Sequence, residues 1–364
     1  SAYGNERIRI GYLSSDFKKH ATTYLITRLI EQHDRDNFEI FALDYSIDDG
    51  SHERREILSK FDECTELTWL TDTDAANKIS NCGIDILVDL KGYTEGARPN
   101  IVNHRPASIQ VNYLGYPGTT GNSSYDYIIG DSVVTPTAFQ QYYTEKIVQL
   151  DSCYQPNDPM RTVGVDKERS EYGLPTDAFI FGCFNHHWKY NVTQLRVWQQ
   201  ILNQCPDAIL WILEPMSGVN IVDKLAAIGI HKHQVVVASS LPIADHLARI
   251  RHMDLFLDTF PCGAHTTCSD SIFSGVPVLH KIGEAFHTRV SASLMRHAGL
   301  NKFTAQTDQE YIDLAVNLYN NRQTLIECQE TLLNFEAPHH PYNIADTCAS
   351  LESAFLKMAN LEPR

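Results

Sequence analysis

The sequence predicts an α/β protein built from two doubly wound halves, each a parallel sheet flanked by helices. Three observations carry this. The chain has 364 residues, more than the roughly 150 of an average domain. Short β-rich runs alternate with stretches of helical period in both halves, the pattern of parallel βαβ units. A polar, proline-bearing stretch, 151–175, breaks the alternation once, after which it restarts.

Taken in order, residues 7–12 alternate Arg7, Ile8, Arg9 and Ile10 and read as the opening strand. Residues 22–32 set Leu25, Ile26, Leu29 and Ile30 on one helical face, and 38–43, with Phe38, Ile40 and Phe41, return to a strand. Further strands fall at 84–88, 109–113 and 146–150, each rich in Ile, Val or Leu. After the candidate linker 151–175, strand 178–184 is followed by helix 192–204 and strand 208–213. Helix 221–228 leads to a strand at 234–237, helix 243–250 to one at 254–258, and helix 268–274 to a closing strand at 276–279. From 309 the tail reads as helical, broken at 337–341 by Pro338 and Pro341, and its last helix, 345–358, is expected to pack back across the first half.

Composition narrows the function. With 43% hydrophobic and 21% charged residues the chain is an ordinary globular protein. Its net charge of −15 argues against a broad grip on nucleic acid or anionic lipid, so any phosphate must be held locally. There is no apolar run of the roughly 20 residues that a membrane span needs and no signal-peptide pattern, so no membrane partner is expected. Because Ser1 is not a natural start, an upstream segment is expected. The nine cysteines are scattered, without a C-x-x-C pair, and read as reduced thiols of a cytoplasmic protein. Histidines pair at His186-His187, His231-Lys232-His233 and His339-His340, but no carboxylate or cysteine stands at the spacings that define zinc sites, so no metal is expected.

The most informative stretch runs from Asp258 to Asp270. A strand ends there, a Gly-bearing loop comes next, and a helix begins near Thr266 with hydroxyls and unsatisfied N–H groups in its first turn, a ready anion site at the carboxyl end of a parallel strand. The plain alternative is a Thr N-cap on a structural helix. Asp270, one turn on, is within reach of ribose hydroxyls, or is simply a solvated carboxylate. Lys189, in the run after strand 178–184, is a mobile charge suited to a diphosphate, and His246 is either a binding or a packing imidazole. In the first half Asp16 and His20 come after the opening strand, and each is a candidate general base. Gly115, Gly118 and Gly121 make a loop that lets a ligand approach the backbone. No Walker, nucleophile-elbow or dinucleotide fingerprint occurs.

Several of these stretches occur together, in order, in one known family. Gly11 to Phe17, Gly92 to Arg98, Arg105-Pro106-Ala107 with Gln110, Leu114 to Gly118, and Ala264-His265-Thr266-Thr267 with Asp270 make the chain resemble the catalytic half of the O-GlcNAc transferase/SPINDLY glycosyltransferases. The resemblance covers nearly the whole chain. It implies the GT-B fold, two Rossmann-like doubly wound domains facing a cleft: 1–150 on the acceptor side, a linker at 151–175, a nucleotide-sugar domain at 176–335, and helices at 336–364 packing back on the first domain. It also implies that His265, Thr266 and Thr267 hold the diphosphate, that Lys189 neutralises it, that Asp270 binds ribose and that His246 packs on the base. His186 joins the nucleotide-sugar set, while Asp16, His20 and Gly115 lie near the reacting sugar. The implied activity is metal-independent, inverting transfer of GlcNAc from UDP-GlcNAc to Ser/Thr hydroxyls of protein acceptors, with no cofactor. GDP-fucose-dependent fucosyltransfer, N-glucosyltransfer and a non-catalytic nucleotide-sugar-binding or protein-interaction module are the competing readings. The sequence departs from the family at Ile243 and Lys19, where some members have lysine and asparagine, and the N-terminal tetratricopeptide region of the family is absent from this chain.

Overall fold

The computed structural model describes residues 5–215 and 218–361. They fall into two compact units: one comprises residues up to Pro159 together with those from Pro338 onward, the other Met160–Ala337.

The first unit runs β1 (Ile8–Ser14), α1 (Ala21–Gln32), β2 (Phe38–Asp44), α2 (His52–Leu58), β3 (Glu63–Glu66), α3 (Asp72–Asn81), β4 (Ile86–Asp89), α4 (Pro99–Asn103), β5 (Ile109–Tyr113), β6 (Tyr127–Asp131) and β7 (Lys146–Leu150). All seven strands are parallel, in the order β3-β2-β1-β4-β5-β6-β7. The central strands β4, β5 and β6 are buried at every position, because helices cover both faces of a parallel sheet.

The second unit runs β8 (Phe179–Cys183), α5 (Val192–Gln204), β9 (Ala208–Leu213), α6 (Ile221–Ala227), β10 (Val235–Ala238), α7 (Ile243–Ile250), β11 (Leu255–Leu257), α8 (Thr266–Phe273), β12 (Val278–Lys281), α9 (Val290–His297), β13 (Thr304–Ala305), α10 (Asp308–Asn320) and α11 (Arg322–Leu332). Its six parallel strands are ordered β10-β9-β8-β11-β12-β13. The last helix, α12 (Ile344–Leu361), belongs to the first unit and packs against α1 and β7. Helix starts obey local chemistry: Ser51, Thr71, Asn191, Asn220 and Thr307 each accept a first-turn backbone N–H through the side chain.

The alternation of strands and helices read from the sequence is present in both units, with three strands added. β3 carries the charged sequence Glu63-Cys64-Thr65-Glu66 at a sheet edge, so it lacks an apolar signature. β6 contains Gly130, and β13 is two residues long. Short helices α2, α3, α4 and α9 are further additions, and β12 starts at Val278, two residues later than the expected 276. The stretch 151–175 is not one linker. Residues 151–159 belong to the first unit, where Tyr113 donates its hydroxyl to Tyr154 O at 2.7 Å and Asn157 Nδ2 donates to Pro341 O at 3.1 Å. Residues 160–175 belong to the second unit, with Arg169 Nη1 donating to Ala178 O at 2.9 Å. Among the described residues no helix is long and apolar enough to cross a membrane.

Candidate active site

In each sheet the strand order reverses beside the first strand of its unit, between β1 and β4 and between β8 and β11. Ligands of open α/β sheets bind outside the carboxyl ends of strands at such switch points. The sequence-derived candidates divide between these two places.

In the first unit a cavity of about 710 Å³ opens there, lined by Asp16, His20, Lys91, Gly115, Tyr45 and Trp69 among others. Asp89, the last residue of β4, holds the turn that lines it through Leu90 and Lys91: the buried carboxylate accepts the Lys91 N–H at 2.9 Å, the Gly92 N–H at 3.0 Å and the Tyr125 hydroxyl. This turn delivers the buried Lys91, whose Nζ donates to Asp16 Oδ2 at 2.6 Å. Gly115 passes so close to the turn that a Cβ there would collide with the Leu90 carbonyl. His20 caps α1: its Nδ1 accepts the Thr22 N–H at 3.1 Å and lies 3.5 Å from Asp16 Oδ2. Burial pulls His20 below the ordinary histidine value, against the opposing pull of Asp16. A neutral ring whose Nδ1 accepts must carry its proton on Nε2, so His20 in this arrangement is a hydrogen-bond donor through Nε2. Of the two candidate bases, Asp16 is the one with an acceptor oxygen at the cavity.

In the second unit β11 ends one residue before Asp258, and the buried Asp258 carboxylate organises the loop that leads into α8. Its Oδ1 accepts the Thr259 and Ala264 N–H groups, each at 2.7 Å, and the Asn185 amide at 3.0 Å, while Oδ2 accepts the Ser291 hydroxyl at 2.6 Å. Asn185, just past β8, also donates to Thr259 Oγ1 at 2.8 Å and accepts the Thr267 hydroxyl at 2.6 Å. The loop is thereby folded so that His265 sits at the N-cap of α8, where it makes no side-chain capping bond. The first-turn N–H groups, rather than the already donated Thr267 hydroxyl, are the donors this turn offers an anion. Lys189 Nζ donates to Gly263 O at 2.7 Å in the same loop.

Burial disfavours a charge on the His265 and His246 rings. Burial, reinforced by the charge of Lys189, lowers His265 to about 4. Burial, reinforced by Arg249, lowers His246 to about 3. Arg249 Nη2 donates to His246 Nδ1 at 2.8 Å, which puts the His246 proton on Nε2, and the ring lies 5.2 Å from that of Phe184. Asp270 is buried and ion-paired with Arg161, so burial raises its carboxyl while Arg161 pulls it back. His186 is exposed, its ring stacked 6.5 Å from that of Trp188.

Lys91, Asn185 and Arg161 are the site residues that sequence reading missed, along with the organising role of Asp258. Asp89-Leu90-Lys91-Gly92 at the end of a strand was the available signal for Lys91. Nothing local announces Arg161, which lies 109 residues from its partner.

The fold is α/β, two parallel sheets flanked by helices, with a cluster of buried polar side chains at the switch point of each sheet. The chain belongs to glycosyl transferase family 41, which it matches over residues 1–164 and 156–351. It is 34% identical, over 98% of its length, to an Arabidopsis thaliana protein named as a probable UDP-N-acetylglucosamine–peptide N-acetylglucosaminyltransferase, SEC, and 26% identical to a Caenorhabditis elegans protein named as the same kind of transferase. It spans 38% and 41% of those two proteins. Among solved structures, a mutant of the Thermobaculum terrenum O-GlcNAc transferase superposes with a TM-score of 0.87 at 29% identity, covering 97% of this chain and 68% of that one.

Asp258→Ala removes the acceptor of the Thr259 and Ala264 N–H groups and one acceptor of Asn185 and Ser291, and is expected to cost about 3 kcal/mol or more of stability. Chemical unfolding reads this, and a wild-type midpoint would refute the organising role. A second expectation concerns acid. His246, His265 and the buried His280, also lowered to about 4 by burial, bind fewer protons folded than unfolded from about pH 6.5 down to about pH 4. Stability should therefore fall with falling pH in that window, by up to about 1.4 kcal/mol per unit per group, and be flat above it. A thermal midpoint unchanged between pH 7 and pH 5 would contradict this.

Proposed function

We propose that the chain is the catalytic region of an inverting, metal-independent glycosyltransferase that moves GlcNAc from UDP-GlcNAc to Ser/Thr hydroxyls of protein acceptors. The observation that carries it is the Asp258-folded loop, which leads into the uncapped first turn of α8 and holds the Lys189 ammonium on its Gly263 carbonyl. Family membership and the names of the relatives supply the sugar and the acceptor class.

The second unit is assigned the donor. His246, neutral and flat, suits a nucleobase face, and the α8 first turn suits a diphosphate. Transfer breaks the bond between the anomeric carbon and the diphosphate oxygen, whose electron pair stays with the leaving group, as the acceptor oxygen attacks from the opposite side and inverts the centre. The charge that develops on the diphosphate is met by preorganised N–H dipoles and Lys189, which is usually the largest catalytic term. The acceptor proton passes to Asp16 or to a donor phosphate oxygen, while His20 donates through Nε2.

Lys189→Ala is expected to lower the maximal rate by roughly 10²-fold at saturating donor, because the ammonium meets charge that grows only as the bond breaks. Steady-state kinetics on the folded variant with UDP-GlcNAc and a Ser/Thr peptide test the reading. An unchanged maximal rate with a raised Michaelis constant would reduce Lys189 to a ground-state contact, and absence of transfer by the wild-type chain from any UDP-sugar would overturn the function itself. Initial turnover is expected to be unchanged in excess EDTA, and a loss restored only by Mg²⁺ or Mn²⁺ would end the metal-independent reading.

A further inference from the structure

The two ends of α1 carry different chemistry. His20 caps its start, and His33, the residue that ends it, meets α12. Cys348 and Glu352 stand one helical turn apart on α12 and converge on His33: Cys348 Sγ lies 3.6 Å from His33 Nδ1 and 3.6 Å from Glu352 Oε1, and Nδ1 lies 2.9 Å from Oε1. Thiolate, imidazole and carboxylate are the three ligand types of zinc. Tetrahedral bonds of about 2.3 Å to sulfur and about 2.0 Å to nitrogen or oxygen place such ligand atoms about 3.5 Å (S to N and S to O) and about 3.3 Å (N to O) apart. Two of those three edges are already present, and the third needs the Glu352 carboxylate to swing by only about 0.4 Å.

The surroundings agree. The Tyr12 hydroxyl lies 2.8 Å from His33 Nε2, so it can accept that N–H and leave the Nδ1 lone pair for an ion, as outer-sphere partners of metal-bound histidines do. The Asp34 N–H donates to Glu352 Oε1 at 2.8 Å and fixes that carboxylate. His33 and Cys348 are 4% and 3% exposed, whereas the Glu352 side chain is 16% exposed and opens a path to solvent. Hydrogen bonding alone explains the His33–Glu352 pair, but a thiol is a weak donor and acceptor and gains little from burial against them. As a thiolate ligand it gains a strong bond.

We propose that His33, Cys348 and Glu352 bind a divalent ion of the zinc class, with water in the fourth position, and that this ion pins α12 to α1. Binding releases the Cys348 thiol proton and any proton held on His33 Nδ1. The role is structural. At about 1.5 Å per residue the 12 residues of α1 put roughly 18 Å between this end and the His20 end, so the readout is metal content and stability rather than turnover.

The test uses the full chain, stripped with a strong chelator and reloaded with zinc or cobalt(II) alone. The expected results are one equivalent of zinc by elemental analysis, a thiolate-to-cobalt charge-transfer band in the near ultraviolet, and a thermal midpoint several degrees higher loaded than stripped. Cys348→Ser and Glu352→Gln, checked for folding by circular dichroism, should each weaken zinc by more than the roughly 10–100-fold typical of outer-sphere changes, while Cys64→Ser, at an exposed thiol, should not. Trace metal only, a cobalt spectrum without the thiolate band, or a folded Cys348→Ser that binds zinc like the parent would leave the trio a hydrogen-bonded pin and overturn the proposal. Should a variant fail to fold, the cobalt spectrum of the parent chain decides.

Discussion

Both units depend on the same device, a buried aspartate at the carboxyl end of the strand that lies across the switch point from the unit's first strand. Asp89 ends β4 and Asp258 comes directly after β11, and each uses its carboxylate to accept backbone N–H groups of the loop that comes next. A loop leaving a parallel sheet has donors that no strand will satisfy, and a buried donor left open costs about 1–3 kcal/mol. An aspartate at this position gathers those donors and fixes the loop's path. Burial pushes both carboxyls up from the ordinary range, and the donors around them pull back. The two loops present different groups. Asp89 sets Lys91 against Asp16, whereas Asp258 sets Gly263, to which Lys189 donates, and the first turn of α8.

That difference divides the electrostatic work. The chain is acidic overall, at −15, so attraction for a diphosphate has to be local. In the second unit the histidines do not provide it, since burial keeps His246 and His265 neutral. Arg161 and Arg249 do not provide it either, being engaged with Asp270 and with His246 and Ser239 O. Lys189 differs from Arg161 in that its partner is the Gly263 carbonyl of the loop leading to α8, a neutral acceptor that an anionic ligand can outcompete. A helix N-terminus adds positive potential without a titratable group, so the start of α8 keeps its charge across the pH range in which His246 and His265 change theirs.

The fold was legible because parallel strands buried on both faces write themselves as short runs of Ile, Val, Leu and Phe, as in 208–213 and 109–113. The edge strand β3 and the two-residue β13 have no such run, since an edge needs only one buried face and register comes from its neighbour. Of the site, the loop from Asp258 to Asp270 was legible as a strand-loop-helix with its anion turn. The partners were not. Asn185 meets Asp258 across 73 residues and Lys91 meets Asp16 across 75, and pairs so distant leave no spacing to read. Likewise Asp16 and His20 looked equivalent as bases, and only the Thr22 N–H on His20 Nδ1 separates them.

The Asp16–Lys91 pair shows why the separation matters. Two oppositely charged groups buried together are held less by their mutual attraction, which desolvation largely offsets, than by the cost of leaving either one alone. Asp16 accepts from Lys91 through Oδ2 at 2.6 Å, while its backbone N–H donates to Ser14 Oγ at 2.9 Å and its carbonyl accepts from Thr23 at 2.6 Å. The residue is therefore immobilised at three points beside the cavity. A carboxylate fixed in this way gives up little freedom when it accepts a hydrogen bond from an incoming hydroxyl. The ammonium that holds it becomes the nearest counter-charge if a proton moves, so Lys91 and Asp16 act as one unit, and neither side chain taken alone has a definable share of the chemistry.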